Sequence, residues 1–121
     1  MRAAWGGLVL LFTAAGAQGD EQAAAVAELQ KCKICHSLEK GGPNRVGPNL
    51  YGMFGRKAGS AAGFAYSDAM KQSGIVWDDD SVAQFLRAPK DALPGNGMSF
   101  PGVKDEAVLR GLVQSLKQAT Q

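Results

Sequence analysis

The pentapeptide at residues 32–36 constrains this chain more than any other feature, and it reads Cys-Lys-Ile-Cys-His. Two thiols three positions apart, followed at once by a histidine, form the C-x-x-C-H pattern of c-type haem attachment. The thiols can add to the two vinyl groups on one edge of a haem, and the imidazole can then bind the iron. Since the chain has no further cysteine or histidine, Cys32, Cys35 and His36 predict one covalent haem c.

Three other interpretations of the pentapeptide remain as alternatives. A structural zinc site takes four ligands, usually Cys or His, whereas this chain offers three within five positions. A thioredoxin-like redox pair is expected within a strand–helix–strand pattern, and the sequence around residues 32–36 has no strand-like alternation. A disulfide between Cys32 and Cys35 would close a very small loop and contribute little stability.

Residues 1–17 have the organisation of a secretory signal peptide. A short positive start precedes an apolar stretch at 8–12, and Ala-Gly-Ala at 15–17 is a small-x-small cleavage motif. We therefore expect one mature domain, residues 18–121, with no membrane span after cleavage. Because bacterial c-type haem is attached outside the cytoplasmic membrane, the predicted location is the periplasm. An uncleaved membrane anchor is the alternative, although the apolar stretch is short for a spanning helix.

The charge balance argues against nucleic-acid binding. The chain has a net charge of +2, and loss of Arg2 with the signal peptide would leave 12 basic against 11 acidic side chains. Nucleic-acid-binding domains carry a strongly basic surface. We therefore expect no nucleic-acid partner.

Helix signals divide the chain into short helices joined by glycine-rich loops. The alanine-rich residues after Asp20 predict a helix that runs to the haem cysteines. A second helix is expected to begin at Ser67-Asp68, a third to start at Asp78 and be ended by Pro89, and a last one to begin near Asp105. The predicted class is all-α with irregular loops.

The second axial ligand decides whether a haem binds small molecules or carries electrons. The available candidates are Met53, Met70 and Met98, because Met1 leaves with the signal peptide. Met98 ends a Pro-Gly-Asn-Gly-Met loop that is free of helix constraints, and we expect its thioether to bind the iron. Met53 and Met70 are expected to fill the core, and Met70 remains an alternative ligand.

Over about residues 19–120 the chain resembles class I cytochrome c, which comprises the mitochondrial type and the bacterial cytochromes c2. The matching stretches are residues 32–36, Gly-Pro-Asn-Leu-Tyr-Gly-Met-Phe-Gly-Arg-Lys-Ala-Gly at 47–59, Gly-Phe-Ala-Tyr-Ser-Asp-Ala-Met at 63–70, Gly-Ile-Val-Trp at 74–77 and Pro-Gly-Asn-Gly-Met-Ser-Phe at 94–100. The resemblance implies that residues 18–121 form a cytochrome c domain, with about five short helices wrapped round one covalent haem.

The resemblance also implies that four polar side chains hold the haem propionates. Arg56, Tyr66 and Trp77 would hydrogen-bond one propionate, with Arg56 adding charge compensation, and Ser67 would bond the other. Buried Tyr and Trp polar atoms need such partners. The alternative is that the two aromatic residues are ordinary core residues.

Further implied roles concern the iron ligand and the docking surface. The carbonyl of Pro48 would accept the second ring N–H of His36 and so orient the imidazole. Phe100 would cover the haem edge, and Lys31 and Lys90 would belong to a basic ring that faces redox partners. An ordinary core aromatic and a solvated lysine surface are the alternatives.

The chain departs from the family pattern near the predicted methionine ligand. Met70 stands where relatives often carry Asn, and Phe85 stands where they carry a Tyr that bonds the methionine sulfur. A less polar pocket should raise the reduction potential, whereas the lost hydrogen bond acts in the opposite direction. At the contact of the first and last helices, the chain has Ala24, Glu28 and Ser115 instead of a glycine and two aromatic residues.

The implied function is single-electron transport by a monomeric periplasmic protein that is not an enzyme. The iron would cycle between Fe(III) and Fe(II) with His36 and Met98 bound. Donors would be a bc1-type complex or a dehydrogenase, and acceptors an oxidase, a reaction centre or a peroxidase. The alternatives are a haem enzyme or gas sensor with a labile Met98, and an electron-transfer module tethered by an uncleaved N-terminus.

Overall fold

Helices dominate the part of the chain that the computed structural model describes, which is residues 2–11 and 15–121 with the side chains of 15–17 excepted. They are α1 (Ala15–Cys35), α2 (Asp68–Gln72), α3 (Asp79–Arg87), α4 (Pro89–Ala92) and α5 (Glu106–Ala119). The one strand-like feature among these residues is an isolated antiparallel bridge between Lys57 and Val76. The predicted all-α class is confirmed.

Three helices begin with the side-chain caps that the sequence predicts. Ser67 caps α2 and Asp105 caps α5, each by accepting a backbone N–H from the first turn. Asp78 forms a reciprocal capping box with Ser81 at the start of α3. These bonds satisfy amide groups that a helix start leaves without intrahelical partners.

One predicted helix boundary is wrong and another is confirmed. The first helix begins at Ala15, so Asp20 lies in its interior, where intrahelical bonds make a side-chain cap unnecessary. The third helix ends at Arg87 because Ala88 precedes a proline and takes an extended φ of −159°. Pro89 then starts α4, a position where its fixed φ and missing N–H cost nothing.

The first and last helices approach each other through small residues. Ala25 is fully buried, and a Cβ built on Gly111 would lie 3.0 Å from the Ala25 Cβ. The predicted contact positions Ala24, Glu28 and Ser115 are only half-buried. The absence of a side chain at Gly111 therefore lets the two backbones pack closely, and this contact fixes the position of α1.

The hydrophobic core joins α1, α3 and α5. The last helix contributes buried side chains at helical spacing, namely Leu109, Leu112, Val113 and Leu116, and α3 contributes Val82, Phe85 and Leu86. Cys32 belongs to the same buried cluster. The end of α1 that carries the C-x-x-C-H motif therefore lies at the edge of the core.

The predicted signal peptide is described only in part. Residues 1 and 12–14, and the side chains of the predicted cleavage motif at 15–17, lie outside the described residues. Residues 2–11 and 18–23 are exposed, and Ala24 is the first residue among the described side chains of α1 that is partly buried. Among the described residues, no helix combines the length and the apolar character needed to cross a membrane.

Candidate haem site

A cavity of about 390 Å³ lies beside the C-terminal end of α1, a volume within the usual range for cofactor sites. The predicted attachment motif lines it with Cys32, Cys35 and His36. The remaining wall is mostly apolar and includes Leu50, Met53, Val82, Phe85, Leu86 and Leu116. The cavity therefore offers two thiols and an imidazole to a large apolar group.

The two cysteines face the same cavity because residues three apart share one side of a helix. Both are free thiols, so the disulfide alternative does not describe this structure. Burial raises the pKa of Cys32, and the negative charge of Glu28 raises it further. Both effects favour the protonated form of the Cys32 thiol.

His36 is oriented by a single strong contact. Its Nδ1 lies 2.7 Å from the carbonyl oxygen of Pro48. Burial lowers the pKa of His36, the Pro48 hydrogen bond acts in the opposite direction, and the charge of Arg45 lowers it again. When Nδ1 donates its proton to Pro48 O, the neutral ring keeps Nε2 unprotonated, which is the state that binds a metal ion.

Gly47 is a site residue that the sequence analysis did not identify. It is buried, and a Cβ built on it would lie 2.6 Å from Nδ1 and 2.7 Å from Nε2 of His36. Any side chain here would force either the imidazole or the 45–48 turn to move. Its place at the start of the 47–59 stretch was the available signal, but only the structure shows which atoms it faces.

Met98 lines the same cavity as His36 and is held by Asn96. The Asn96 side chain accepts the Met98 N–H at 2.7 Å and donates to the carbonyls of Pro89 and Leu93, each at 2.9 Å. Sequence analysis missed this role. The signal was an Asn two residues before the methionine, since Asn side chains commonly bond the backbone two positions on.

Backbone pairing brings Arg56 and Trp77 together. The Trp77 N–H donates to the Arg56 carbonyl at 2.9 Å, and the Gly55 N–H donates to the Trp77 carbonyl at 2.6 Å. Trp77 lines the cavity, and the Nε of Arg56 is buried without a hydrogen-bond partner. An unsatisfied buried donor costs about 1–3 kcal/mol. A haem carboxylate is the kind of acceptor that this guanidinium needs.

Tyr66 and Ser67 line the cavity and are already bonded to the backbone. The Tyr66 hydroxyl accepts the Ala61 N–H at 3.1 Å, which leaves its own proton free to be donated. The Ser67 hydroxyl donates to the Asn96 carbonyl at 3.3 Å while it caps α2. Ser67 therefore connects α2 to the Met98 loop.

The structure brings most of the predicted site residues to one place. Those that line the cavity are Cys32, Cys35, His36, Pro48, Tyr66, Ser67, Trp77 and Met98. The two that do not are Arg56, whose buried Nε was described above, and Phe100, which packs against the hydrophobic core. Met70 and Phe85 also line the cavity, so both departures from the family pattern lie at the site.

Comparison with known proteins finds relatives named cytochrome c and cytochrome c2. The chain is 42% identical over 114 residues to cytochrome c2 of Blastochloris viridis, an alignment that covers 94% of this chain and 90% of the relative. It is 42% identical over 104 residues to cytochrome c of Arabidopsis thaliana, an alignment that covers 86% of this chain and 93% of the relative. Cytochrome c of Chlamydomonas reinhardtii is 48% identical over 90 residues, which cover 74% of this chain and 80% of that relative. No protein-family model matches the chain.

The chain belongs to the class I cytochrome c family. Members of this family are electron carriers with covalent haem c, and they act with redox partners rather than as enzymes. Cys32 and Cys35 occupy the cysteine positions of the family's haem-attachment motif. The residues present fit that group, because two free thiols and an oriented imidazole line one apolar cavity. The loop paired with Trp77 of that lining also carries the buried Nε of Arg56, which has no hydrogen-bond partner.

Proposed function

We propose that the chain is a single-electron carrier in which His36 and Met98 are the axial ligands of the haem iron. The observation that carries the proposal is that both side chains line one apolar cavity, each held by its own loop contact. When bound, the haem supplies one-electron Fe(III)/Fe(II) chemistry. The Pro48 and Asn96 contacts hold the two ligands in place, so a change of oxidation state requires little rearrangement.

Polar residues at the cavity complete the proposed site. Tyr66 and Trp77 each bring a donor to the lining, and the buried Nε of Arg56 supplies positive charge. Together these would hold one propionate, and Ser67 the other. In the proposed site Phe100 covers the haem edge from its position against the core.

The absorption spectrum of the full chain, matured with a c-haem assembly system, tests the ligation. We expect a low-spin spectrum in both oxidation states, a weak red band from thioether-bound ferric iron, and no change on addition of carbon monoxide to the reduced protein. A high-spin or carbon-monoxide-reactive spectrum would reject Met98 as a ligand and favour peroxide chemistry or gas sensing.

We further propose that residues 1–17 are removed during export to the periplasm. Residues 18–23 are exposed and Ala25 is the first buried residue among the described side chains of α1, so Gln18 lies ahead of the packed part of that helix. Sequencing of the protein from the periplasmic fraction should begin at Gln18. A chain that retains residue 1 and stays with the membrane fraction would instead support the tethered alternative.

We propose that the protein docks as a monomer on a bc1-type complex or dehydrogenase and on an oxidase, reaction centre or peroxidase. Its basic docking ring is thin. Lys31 is paired with Glu28 at 3.0 Å. The family resemblance implies that Asp91 and Gly97 stand where mitochondrial members carry lysines. Lys90 is exposed and is the ring lysine that contributes to electrostatic steering in this proposal.

Lys90→Glu should slow electron transfer to an acidic partner several-fold at low ionic strength. The difference from the native protein should vanish at high salt, because the Debye length shortens to about 3 Å at 1 M. Stopped-flow rates over a salt series measure this difference. Lys57→Glu is the control, because it makes the same charge change on the loop that is bridged to Val76. Equal rates for both variants at low salt would place the docking surface elsewhere.

A further inference from the structure

The segment that follows the haem-attachment motif closes the C-terminal end of α1. The last four carbonyls of a helix have no intrahelical partner, and here they belong to residues 32–35. The carbonyl of residue 32 accepts the His36 N–H and that of residue 35 accepts the Gly47 N–H, each at 2.9 Å. Arg45 supplies the two bonds between them, from Nη1 to Lys33 O at 2.9 Å and from Nη2 to Ile34 O at 2.8 Å.

An arginine is suited to this position for two reasons. Its planar guanidinium presents two donors at a fixed spacing, so it can bond two successive carbonyls, whereas a lysine ammonium is a single point charge. A helix C-terminus also carries partial negative charge, which favours a cation there. The carbonyls involved belong to the two residues that separate Cys32 from Cys35 in the attachment motif.

The same segment determines the position of the imidazole. The Arg45 N–H donates to the Gly47 carbonyl at 2.9 Å, which closes the turn that places Gly47 against the His36 ring. The next residue is Pro48, whose carbonyl lies 2.7 Å from His36 Nδ1. Arg45 therefore connects the residues that attach the haem to the residues that orient its proximal ligand.

We propose that Arg45 is a positioning residue for the proximal half of the haem site. By holding two carbonyls of the attachment motif, it fixes the last turn of α1 relative to the 45–48 turn and so fixes the orientation of the His36 ring. Its guanidinium also places a permanent positive charge on the cleft that it lines together with Lys33 and His36, and this charge disfavours ferric iron. The inference rests on the proposed ligation of iron by His36.

Two variants of the full-length holoprotein separate the bonds from the charge. Arg45→Lys keeps the charge and loses the two-carbonyl geometry, and Arg45→Met loses both. Lys33→Met removes the same charge from the same cleft without touching those bonds. Arg87→Met is a control away from the cleft. Arg87 lies on α3 and makes two hydrogen bonds, at 2.6 and 3.1 Å, to Glu106 on α5.

Three measurements are made on each variant: exchange of the Gly47 amide proton, the paramagnetically shifted signals of the His36 ring, and the midpoint potential. In Arg45→Lys and Arg45→Met we expect Gly47 exchange to rise about tenfold or more, because charge-assisted bonds are lost, and the His36 signals to move. Arg45→Met should also lower the potential more than Lys33→Met does. Both control variants should keep native exchange and native His36 signals.

Native exchange and native His36 signals in both Arg45 variants would overturn the proposal. Native exchange and native His36 signals in Arg45→Lys alone would also overturn the proposal, since a single ammonium group would then replace the two-carbonyl contact. If Arg45→Met yields no holoprotein, the measurements on Arg45→Lys test the proposal by themselves. The spectrum of the native protein is recorded first, so a failure of His36–Met98 ligation is recognised separately, and Gly47 exchange tests the Arg45 bonds independently of the iron.

Discussion

Met98→Ala is expected to leave the covalent haem attached and to open one axial position of the iron. The ferric protein should lose its low-spin spectrum and its weak red band, and the reduced protein should bind carbon monoxide rapidly. The midpoint potential should fall by a sizeable part of the ~0.8 V range over which axial ligands set haem potentials. The thioether stabilises Fe(II), and water or hydroxide in its place favours Fe(III).

Met70→Ala is the matched control, because Met70 is a second half-buried methionine that lines the same cavity. It should keep the native spectrum and change the potential only slightly. If Met98→Ala kept the low-spin spectrum and Met70→Ala lost it, the ligand assignment would pass to Met70. If both variants kept it, neither methionine would be the ligand.

Gly47→Ala is expected to have the second large effect. The added methyl group would lie 2.6–2.7 Å from both ring nitrogens of His36, so either the imidazole or the 45–48 turn has to move. The Pro48 carbonyl also holds the ring, at 2.7 Å from His36 Nδ1, which leaves the imidazole little freedom to yield. Overpacking of this kind costs about 3 kcal/mol where neighbouring groups cannot relax. The yield of holoprotein and its midpoint of denaturant unfolding measure the effect.

Gly41→Ala provides a control within the same loop. Gly41 has a φ of +75° and no atom within 4 Å of the added Cβ, so alanine pays about 1–2 kcal/mol of backbone strain without any clash. We expect this variant to give holoprotein with the native spectrum. Equal stability and equal spectra for the two variants would show that Gly47 does not determine where the His36 ring lies.

Local signals predicted several helix starts but not every boundary. Ser67, Asp78 and Asp105 cap helices as expected, because a capping side chain acts within its own first turn. The start of α1 was misplaced because an alanine-rich stretch can continue as helix past a favourable cap residue. The helix that begins at Pro89 was missed because a proline ends one helix as readily as it starts the next.

The site shows the same division between local and tertiary information. The C-x-x-C-H pattern identifies the attachment residues because their spacing along one helix suffices to place them on one side. The role of Asn96 was readable in principle, since its bond to the Met98 N–H spans two residues. The contacts of Gly47 and of Arg45 with the end of α1 were not readable, because each joins groups 11 or 12 residues apart through a loop whose path no local rule specifies.

The amino-acid sequence alone determined the covalent haem, the all-α class and the family, because these depend on residue types at fixed short spacings and on long matching stretches. Only the tertiary structure decided which groups support them. It shows that α1 meets α5 at Ala25 and Gly111, that Arg45 caps α1, and that the Nε of Arg56 is buried without a partner. These features depend on how distant segments pack, and packing is a property of the whole folded chain.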